Sequence, residues 1–213
     1  MGTVEYAQRL LNEKRLPLAA LPDILSGQQE EAALRRSLPE AGPDAHAVRT
    51  AVTLAMKGRG EEEMLTPYAD YAELFLASLE KFTQVRALIL PEAADPAALP
   101  VEGTRTFVQN LSGGIDLVAG LLAASAVCQK LAGLYSGGLE MTDDDMVGDA
   151  LKEFLNVQNG LYGIQYANRG QDVDLGLPRE ARDARPAGKQ LLVLRAESTV
   201  GTFYLLLAQT MLL

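Results

Sequence analysis

The apolar residues change period near Val101, and this change limits the folds that the chain can adopt. Before it, apolar residues recur about every 3.6 positions, which predicts one amphipathic helix over Tyr68–Leu90. A loop rich in proline and alanine follows at Pro91–Pro100. Residues 104–109 then alternate at period two, and the apolar run Ile115–Leu122 follows a turn that contains glycine, so a β-hairpin is predicted.

The segments after the hairpin indicate two helices followed by strands. A glycine pair ends the first predicted helix, Ser125–Tyr135, and the second runs from about Asp143 to Tyr166. Three strands are predicted after these helices: Val173–Leu177, Gln190–Arg195 and Thr202–Leu212. A loop is predicted between the first two of them, at Pro178–Gly188. Because strands and helices occur in separate clusters, the order predicts an α+β domain in which an antiparallel sheet is layered with helices.

Upstream of this domain, residues 1–60 are predicted to form a small helical segment. Its four short helices are Val4–Leu11, Ala19–Leu25, Glu30–Leu38 and Ala45–Met56. Gly58 and Gly60, followed by the acidic run Glu61–Glu63, are typical of a linker. The sequence therefore predicts two parts, an N-terminal helical segment of unknown role at 1–60 and a second domain at 64–213.

Charge and hydropathy exclude several classes of protein. Acidic residues number 28 against 19 Lys and Arg, a net charge of −9, and there is no basic stripe that would bind nucleic acid. The apolar stretch Val200–Leu213 is too short to span a membrane, and the charged N-terminus shows no signal peptide, so we expect a cytoplasmic protein. The single cysteine, Cys128, lies in an apolar run and is expected to be buried.

Polar side chains on the long helix form the candidate site. Glu153 and Asn156 lie three residues apart and share one helix face, and Asp149 precedes Glu153 by four on the same side. The opposite face is apolar and is expected to be buried: Leu151, Phe154 and Leu155, with Met146 as a further candidate. Taken alone, the spacing favours a solvated helix face over a functional site, because Glu-x-x-Asn arises often by chance.

The residues around this pair extend the pattern to Glu153-x-x-Asn156-x-x-x-Gly160, with Asp149 four residues before the glutamate. This pattern resembles the signature helix of the CheC/CheX/FliY phosphatase family. The segments TFVQNLSGGIDLVAGLL and GTFYLLLA are similar to the family's first strand pair and final strand, so the similarity covers about residues 66–213. One Glu-x-x-Asn site is present, as in CheX, whereas CheC proteins have two.

The resemblance implies an enzyme that hydrolyses the aspartyl-phosphate of a CheY-like response-regulator receiver, in chemotaxis or related two-component signalling. In that role Asn156 orients the attacking water and Glu153 binds the active-site lysine of the receiver. Asp149 and Gly160 would lie on the surface that contacts the phosphorylated receiver. The resemblance implies no cofactor belonging to this chain, because the acidic pocket of the receiver supplies Mg²⁺.

Departures from the family on either side of Glu153 keep a second function open. Lys152 and Phe154 flank Glu153 at positions where the family usually has small or aliphatic residues. A non-catalytic module that docks the same helix on a receiver or on a flagellar-switch partner is therefore the alternative to the phosphatase.

Two further segments bear on partners. Arg179, Arg182 and Arg185 form a basic cluster after Pro178, where a solvated loop and a contact to an acidic receiver surface are both open interpretations. The Leu-rich segment Val200–Leu213 lacks the Lys or Pro that often blunts an exposed sheet edge, so it is either a central strand or a covered edge. CheX relatives can pair across a sheet edge, so the resemblance offers a homodimer as one way to cover it. The alternative is a monomer in which residues 1–60 cover the same edge.

Overall fold

Residues 44–210 are described in the structure, a computed structural model. This range contains four α-helices: α1 Ala45–Met56, α2 Leu65–Thr83, α3 Ser125–Tyr135 and α4 Asp144–Ala167. It also contains seven strands: β1 Ala87–Ala93, β2 Thr104–Gly113, β3 Leu117–Ala124, β4 Val173–Leu175, β5 Arg179–Arg182, β6 Leu192–Ser198 and β7 Gly201–Ala208. None of these helices is long and apolar enough to cross a membrane.

The strand order is β1-β6-β7-β3-β2-β4, and β5 also pairs with β2. The pairs β1–β6, β2–β3, β2–β4, β2–β5 and β3–β7 are all antiparallel, which confirms the predicted α+β class. Strand β7 lies between two other strands, so the Leu-rich final segment is central in the sheet. A central strand has no edge to blunt, which explains its lack of Lys and Pro. The homodimer stays a prediction, without support from this strand.

The described residues form two compact units. Within the described range, the first contains residues 44–93 together with Leu194–Thr202, and the second contains Ala94–Val193 and residues 203–210. The helices predicted between residues 4 and 38 lie outside the described residues. The predicted linker at 58–63 falls inside the first unit, and the division between 60 and 64 stays a prediction.

In the first unit, the predicted helix Ala45–Met56 is confirmed as α1 with the same bounds. The carboxylate of Asp44 caps it by accepting the His46 N–H at 2.8 Å. Its apolar side packs against α2 and β1. The buried residues of α1 are Val48, Ala51, Val52, Ala55 and Met56. Helix α1 therefore shares its apolar core with α2.

The predicted helix Tyr68–Leu90 is wrong at its C-terminal end. Helix α2 ends at Thr83, and Gln84 takes a left-handed conformation with φ of 59°. The Thr83 hydroxyl donates to the Leu79 carbonyl at 2.6 Å and accepts the Val85 N–H at 3.1 Å. These two hydrogen bonds stabilise the turn that directs the chain out of the helix.

The apolar residues predicted for the end of that helix lie instead in β1, where Ile89 opposes Ala196. A short continuous apolar run fits a buried strand as well as a helix, so its periodicity could not separate the two. The predicted loop Pro91–Pro100 is accordingly wrong at its start. Pro91 lies where the register shifts between Ile89 and Ala93, and an irregular position on an edge strand tolerates a residue without an N–H.

In the second unit, the predicted hairpin is confirmed as β2 and β3, paired continuously over residues 104–111 and 117–124. Because side chains alternate along a strand, β2 presents two different faces. One face joins an apolar core: Leu99, Val108, Val118, Leu122, Leu191, Val193, Leu206 and Ala208. On the other face, Arg105 and Gln109 contact α4.

The predicted loop Pro178–Gly188 is wrong where β5 pairs with β2. A strand of four residues is too short to show a clear alternation, and its charged side chains are typical of loops. Ion pairs nevertheless hold Arg182, whose guanidinium lies 2.7 Å from Asp144 Oδ2 and 3.0 Å from Glu180 Oε1. Arg182 is thus engaged by acidic residues of its own unit.

Candidate functional site

Helix α4 carries all four residues predicted for the site. It begins after Asp143, whose carboxylate accepts the Asp145 N–H at 2.9 Å. Its buried face includes Val147, Leu151, Phe154, Leu155 and Tyr162. Glu153 is exposed and Asn156 is half-buried, so both side chains are accessible from one side of the helix.

The Glu153 carboxylate has no hydrogen-bond or ion-pair partner within residues 44–210. The neighbouring Lys152 instead pairs with Asp149, with Nζ 2.8 Å from Oδ1. Phe154 is buried and packs edge-on against Tyr135, with ring centroids 5.5 Å apart. Burial, and secondarily the charge of Glu153, raises the pKa of Tyr135 above its ordinary value. Neither departure from the family pattern therefore occupies the Glu153 carboxylate.

Asn156 is hydrogen-bonded to a glutamine on β2. Gln109 is fully buried, and its Nε2 donates to Asn156 Oδ1 at 2.8 Å and to the Gly176 carbonyl at 2.7 Å. Gln109 Oε1 accepts from Asn159 Nδ2 at 2.8 Å. Among the described residues, the Nδ2 group of Asn156 donates to no acceptor. The carboxamide of Asn156 is therefore held at its oxygen and open at its nitrogen.

Asp149 and Gly160, predicted to contact a partner, lie at the surface of α4. The Asp149 side chain is 78% exposed, and a Cβ added at Gly160 would meet no atom within 4 Å. Met146, a candidate for the buried face, is instead 47% exposed, and Ile164 toward the other end of the same helix is exposed as well. Asp149 and Gly160 are therefore accessible to a partner that docks on α4, and partner binding by these residues stays a prediction.

A buried ion pair fixes the first turn of α4 against the sheet. Arg105 Nη2 donates to the Asp144 carbonyl at 2.8 Å and lies 2.7 Å from Glu180 Oε1. A Cβ added at Gly148 would come within 2.5 Å of Glu180 Oε2, so glycine allows α4 to approach this pair. The orientation of the site helix therefore depends on charges outside the site.

Other groups with catalytic potential do not join the site. Burial raises the pKa of the Cys128 thiol to about 12, so the thiol is protonated at neutral pH and is a poor nucleophile. Within residues 44–210, no group of three or more His, Cys, Asp and Glu side chains is placed to hold a metal ion.

Sequence reasoning did not identify Gln109 or Asn159. Asn159 could have been found, because it follows Asn156 by three positions and shares its side of the helix. Alternation along β2 places Gln109 on the same face as Arg105, and the remaining information, that α4 covers this face, comes from the tertiary structure.

No protein-family model and no curated protein matches the chain. Among solved structures, the chemotaxis protein CheX from Desulfovibrio desulfuricans matches with 11% identity over 65% of this chain and 98% of its own, with a TM-score of 0.49. CheX from Vibrio vulnificus matches with 13% identity over 65% and 98%, also with a TM-score of 0.49. The CheX–CheY–BeF3–Mg²⁺ complex from Borrelia burgdorferi matches with 13% identity over 65% and 94%, with a TM-score of 0.46. At these identities the matches concern the fold alone.

Proposed function

We propose that this chain hydrolyses the aspartyl-phosphate of a CheY-like response-regulator receiver, with Glu153 and Asn156 as the working pair. The observation that carries the proposal is their arrangement on α4. A carboxylate without a partner among the described residues lies beside a carboxamide that is held at its oxygen, and both are accessible. The resemblance of the surrounding sequence to the CheC/CheX/FliY pattern supports the same two residues.

The reaction requires a water molecule in line with the phosphorus–oxygen bond that breaks. The water oxygen bonds to phosphorus while the bond to the aspartate oxygen breaks. The products are an aspartate carboxylate and inorganic phosphate, which retains both protons of the water. No residue of this chain is consumed, and positioning with electrostatic stabilisation supplies most of the catalysis of phosphoryl transfer.

Each site residue has a distinct role in this proposal. Asn156 positions the water, since a carboxamide is neutral and forms directional hydrogen bonds. Glu153 pairs with the receiver's lysine through a charge-assisted hydrogen bond. Asp149 and Gly160 lie on the face that docks. The receiver supplies Mg²⁺ and this chain supplies no metal ligand.

The test is phosphate release from a CheY-type receiver phosphorylated with acetyl phosphate. Asn156→Ala is expected to lower the rate by about two orders of magnitude, the scale of losing a positioning group. Its unfolding temperature should change little, because the residue is only half-buried. Lys152→Ala is the matched control on the same helix, since it removes only the ion pair with Asp149. Turnover by Asn156→Ala at the wild-type rate would refute the proposal.

Receiver binding without turnover is the second candidate. It is favoured by the exposed Met146 and Ile164, apolar side chains that docking can bury and that contribute nothing to the chemistry. Glu153→Ala should weaken binding to a beryllofluoride-loaded receiver, and the difference should shrink at high salt, which screens an exposed ion pair. Tight binding with no phosphate release would select this candidate over the phosphatase.

A further inference from the structure

We infer that Gln109 is a positioning residue that sets the orientation of the Asn156 carboxamide and turns its NH₂ group toward the receiver. The inference rests on the proposed phosphatase function. Gln109 is fully buried beneath α4, and its three hydrogen bonds engage both atoms of its amide group. It touches Asn156 directly and acts on the reaction only through that residue.

The backbone carbonyl of Gly176 decides which way each amide faces. This carbonyl can only accept, so the end of Gln109 that lies 2.7 Å from it must be the NH₂ group. The same nitrogen lies 2.8 Å from Asn156, so the Asn156 atom facing it must be an acceptor, Oδ1. The orientation of Asn156 therefore follows from a main-chain atom and not from the choice of an amide rotamer.

The Gly176 carbonyl is itself fixed to the sheet. The Gly176 N–H donates to the Asn110 carbonyl at 2.8 Å, and Leu175 pairs with Leu111 of β2. The oxygen of Gln109 is engaged as well, by Asn159 on α4. With both of its ends held, Gln109 cannot turn its amide without losing at least one hydrogen bond.

This orientation gives Asn156 a defined part in positioning the water. Its Nδ2 group is the outward end and can donate to one lone pair of the water oxygen, which leaves the other lone pair for attack on phosphorus. An unsupported asparagine has a broad terminal torsion and would present oxygen or nitrogen with similar ease. Gln109 removes this freedom before the receiver binds, which is pre-organisation of the catalytic geometry.

The test compares two fully buried glutamines, Gln109 on β2, which is hydrogen-bonded, and Gln158 on α4, which has no hydrogen-bond partner among the described residues. Gln109→Met removes the hydrogen bond to Asn156 together with those to Gly176 and Asn159, and keeps an unbranched side chain of similar length. Gln158→Met is the matched control, since Gln158 is also fully buried and its amide atoms have no hydrogen-bond partner in the described part of the chain. We expect Gln109→Met to lower kcat for the acetyl-phosphate-loaded receiver by about tenfold or more with KM unchanged, and Gln158→Met to leave kcat unchanged.

A double-mutant cycle separates positioning from a general loss of stability. If Gln109 acts through Asn156, then Gln109→Met should lower the rate no further in an Asn156→Ala background. Equal kcat values for Gln109→Met and Gln158→Met, or a full additional loss in the double variant, would overturn the inference.

A nuclear magnetic resonance measurement keeps the inference independent of turnover. The side-chain NH₂ of Asn156 should have an order parameter typical of a rigid group in the wild type and below about 0.6 in Gln109→Met. If the wild-type chain releases no phosphate, the proposed function fails and this measurement alone decides the positioning role. Equal order parameters in the two proteins would overturn it.

Discussion

The buried pair of Arg105 and Glu180 offers the most quantitative prediction about how α4 is held. The Arg105 side chain is only 2% exposed, and its Nε and Nη2 lie 2.9 and 2.7 Å from the same oxygen of Glu180. Glu180→Leu would leave the buried guanidinium with two remaining partners, the Asp144 carbonyl at 2.8 Å and the exposed Asp144 carboxylate, whose Oδ1 lies 3.6 Å from Nη1. Removing one partner of a buried ion pair costs about 3–5 kcal/mol of the free energy of unfolding. We expect a value near the lower end, because both the carbonyl and the carboxylate of Asp144 remain beside the guanidinium.

Replacing the arginine of this pair should lower the free energy of unfolding less than replacing the glutamate. Arg105→Met removes the buried charge itself, and Glu180 keeps its contact with Arg182 at 3.0 Å. The expected loss is about 1–2 kcal/mol, the scale of losing hydrogen bonds without leaving a buried charge. The double variant Arg105→Met/Glu180→Leu should then be more stable than Glu180→Leu alone, since no unpaired charge remains inside.

Urea unfolding of the full chain, followed by circular dichroism, measures all three variants. Arg182→Ala serves as the control. It removes the ion pairs that an exposed guanidinium makes with the same Glu180 and with Asp144 and Asp145, and should change stability little. The reasoning would be refuted if Glu180→Leu cost less than Arg105→Met, or if the double variant were less stable than Glu180→Leu.

Three further predictions concern the surface of α4, the buried thiol and helix α1. Gly160→Ala should stabilise the chain by about 0.5–1 kcal/mol, because the added Cβ meets open space, and thermal unfolding measures this gain. The same substitution should weaken receiver binding in a titration, and unchanged affinity would remove Gly160 from the docking face. Burial raises the pKa of the Cys128 thiol from 9.0 to about 12, so the stabilisation that comes from burying the protonated thiol should be complete below pH 9 and lost as the pH rises toward 12. Cys128→Ala should therefore flatten the alkaline part of a plot of unfolding free energy against pH. An unaltered slope would contradict this assignment to Cys128. A fragment beginning at Met64 lacks α1 and should be less soluble and melt lower than one beginning at Asp44; equal melting temperatures would support the boundary predicted at 60–64.

Most elements with strong periodicity were predictable, and errors occurred where two structures share one local pattern. Helices α1 and α3 have the predicted bounds, because each has a clear apolar face and an evident stop. The apolar residues after Thr83 fit both the helical period and the continuous apolar pattern of a buried strand. The deciding factors were the Thr83 hydroxyl hydrogen bonds and the pairing with β6, and the second of these depends on residues more than a hundred positions away.

At the candidate site, too, local relations could be predicted from the sequence and long-range contacts could not. Glu153 and Asn156 were found because their relation is local, three positions apart on one helix. The contact between Gln109 and Asn156 joins residues 47 positions apart. In sequence, Arg105 and Gln109 share one face of β2 with Phe107 between them, so that face is mixed and its alternation does not show that a helix covers it. In the structure that face is covered by α4, and each polar side chain meets a specific acceptor there, Glu180 for Arg105 and Asn156 for Gln109. A hydrogen-bond partner offsets the cost of burying a polar group, so these pairings stabilise the fold where the helix covers the strand. The pairing that satisfies Gln109 also orients the asparagine of the proposed site.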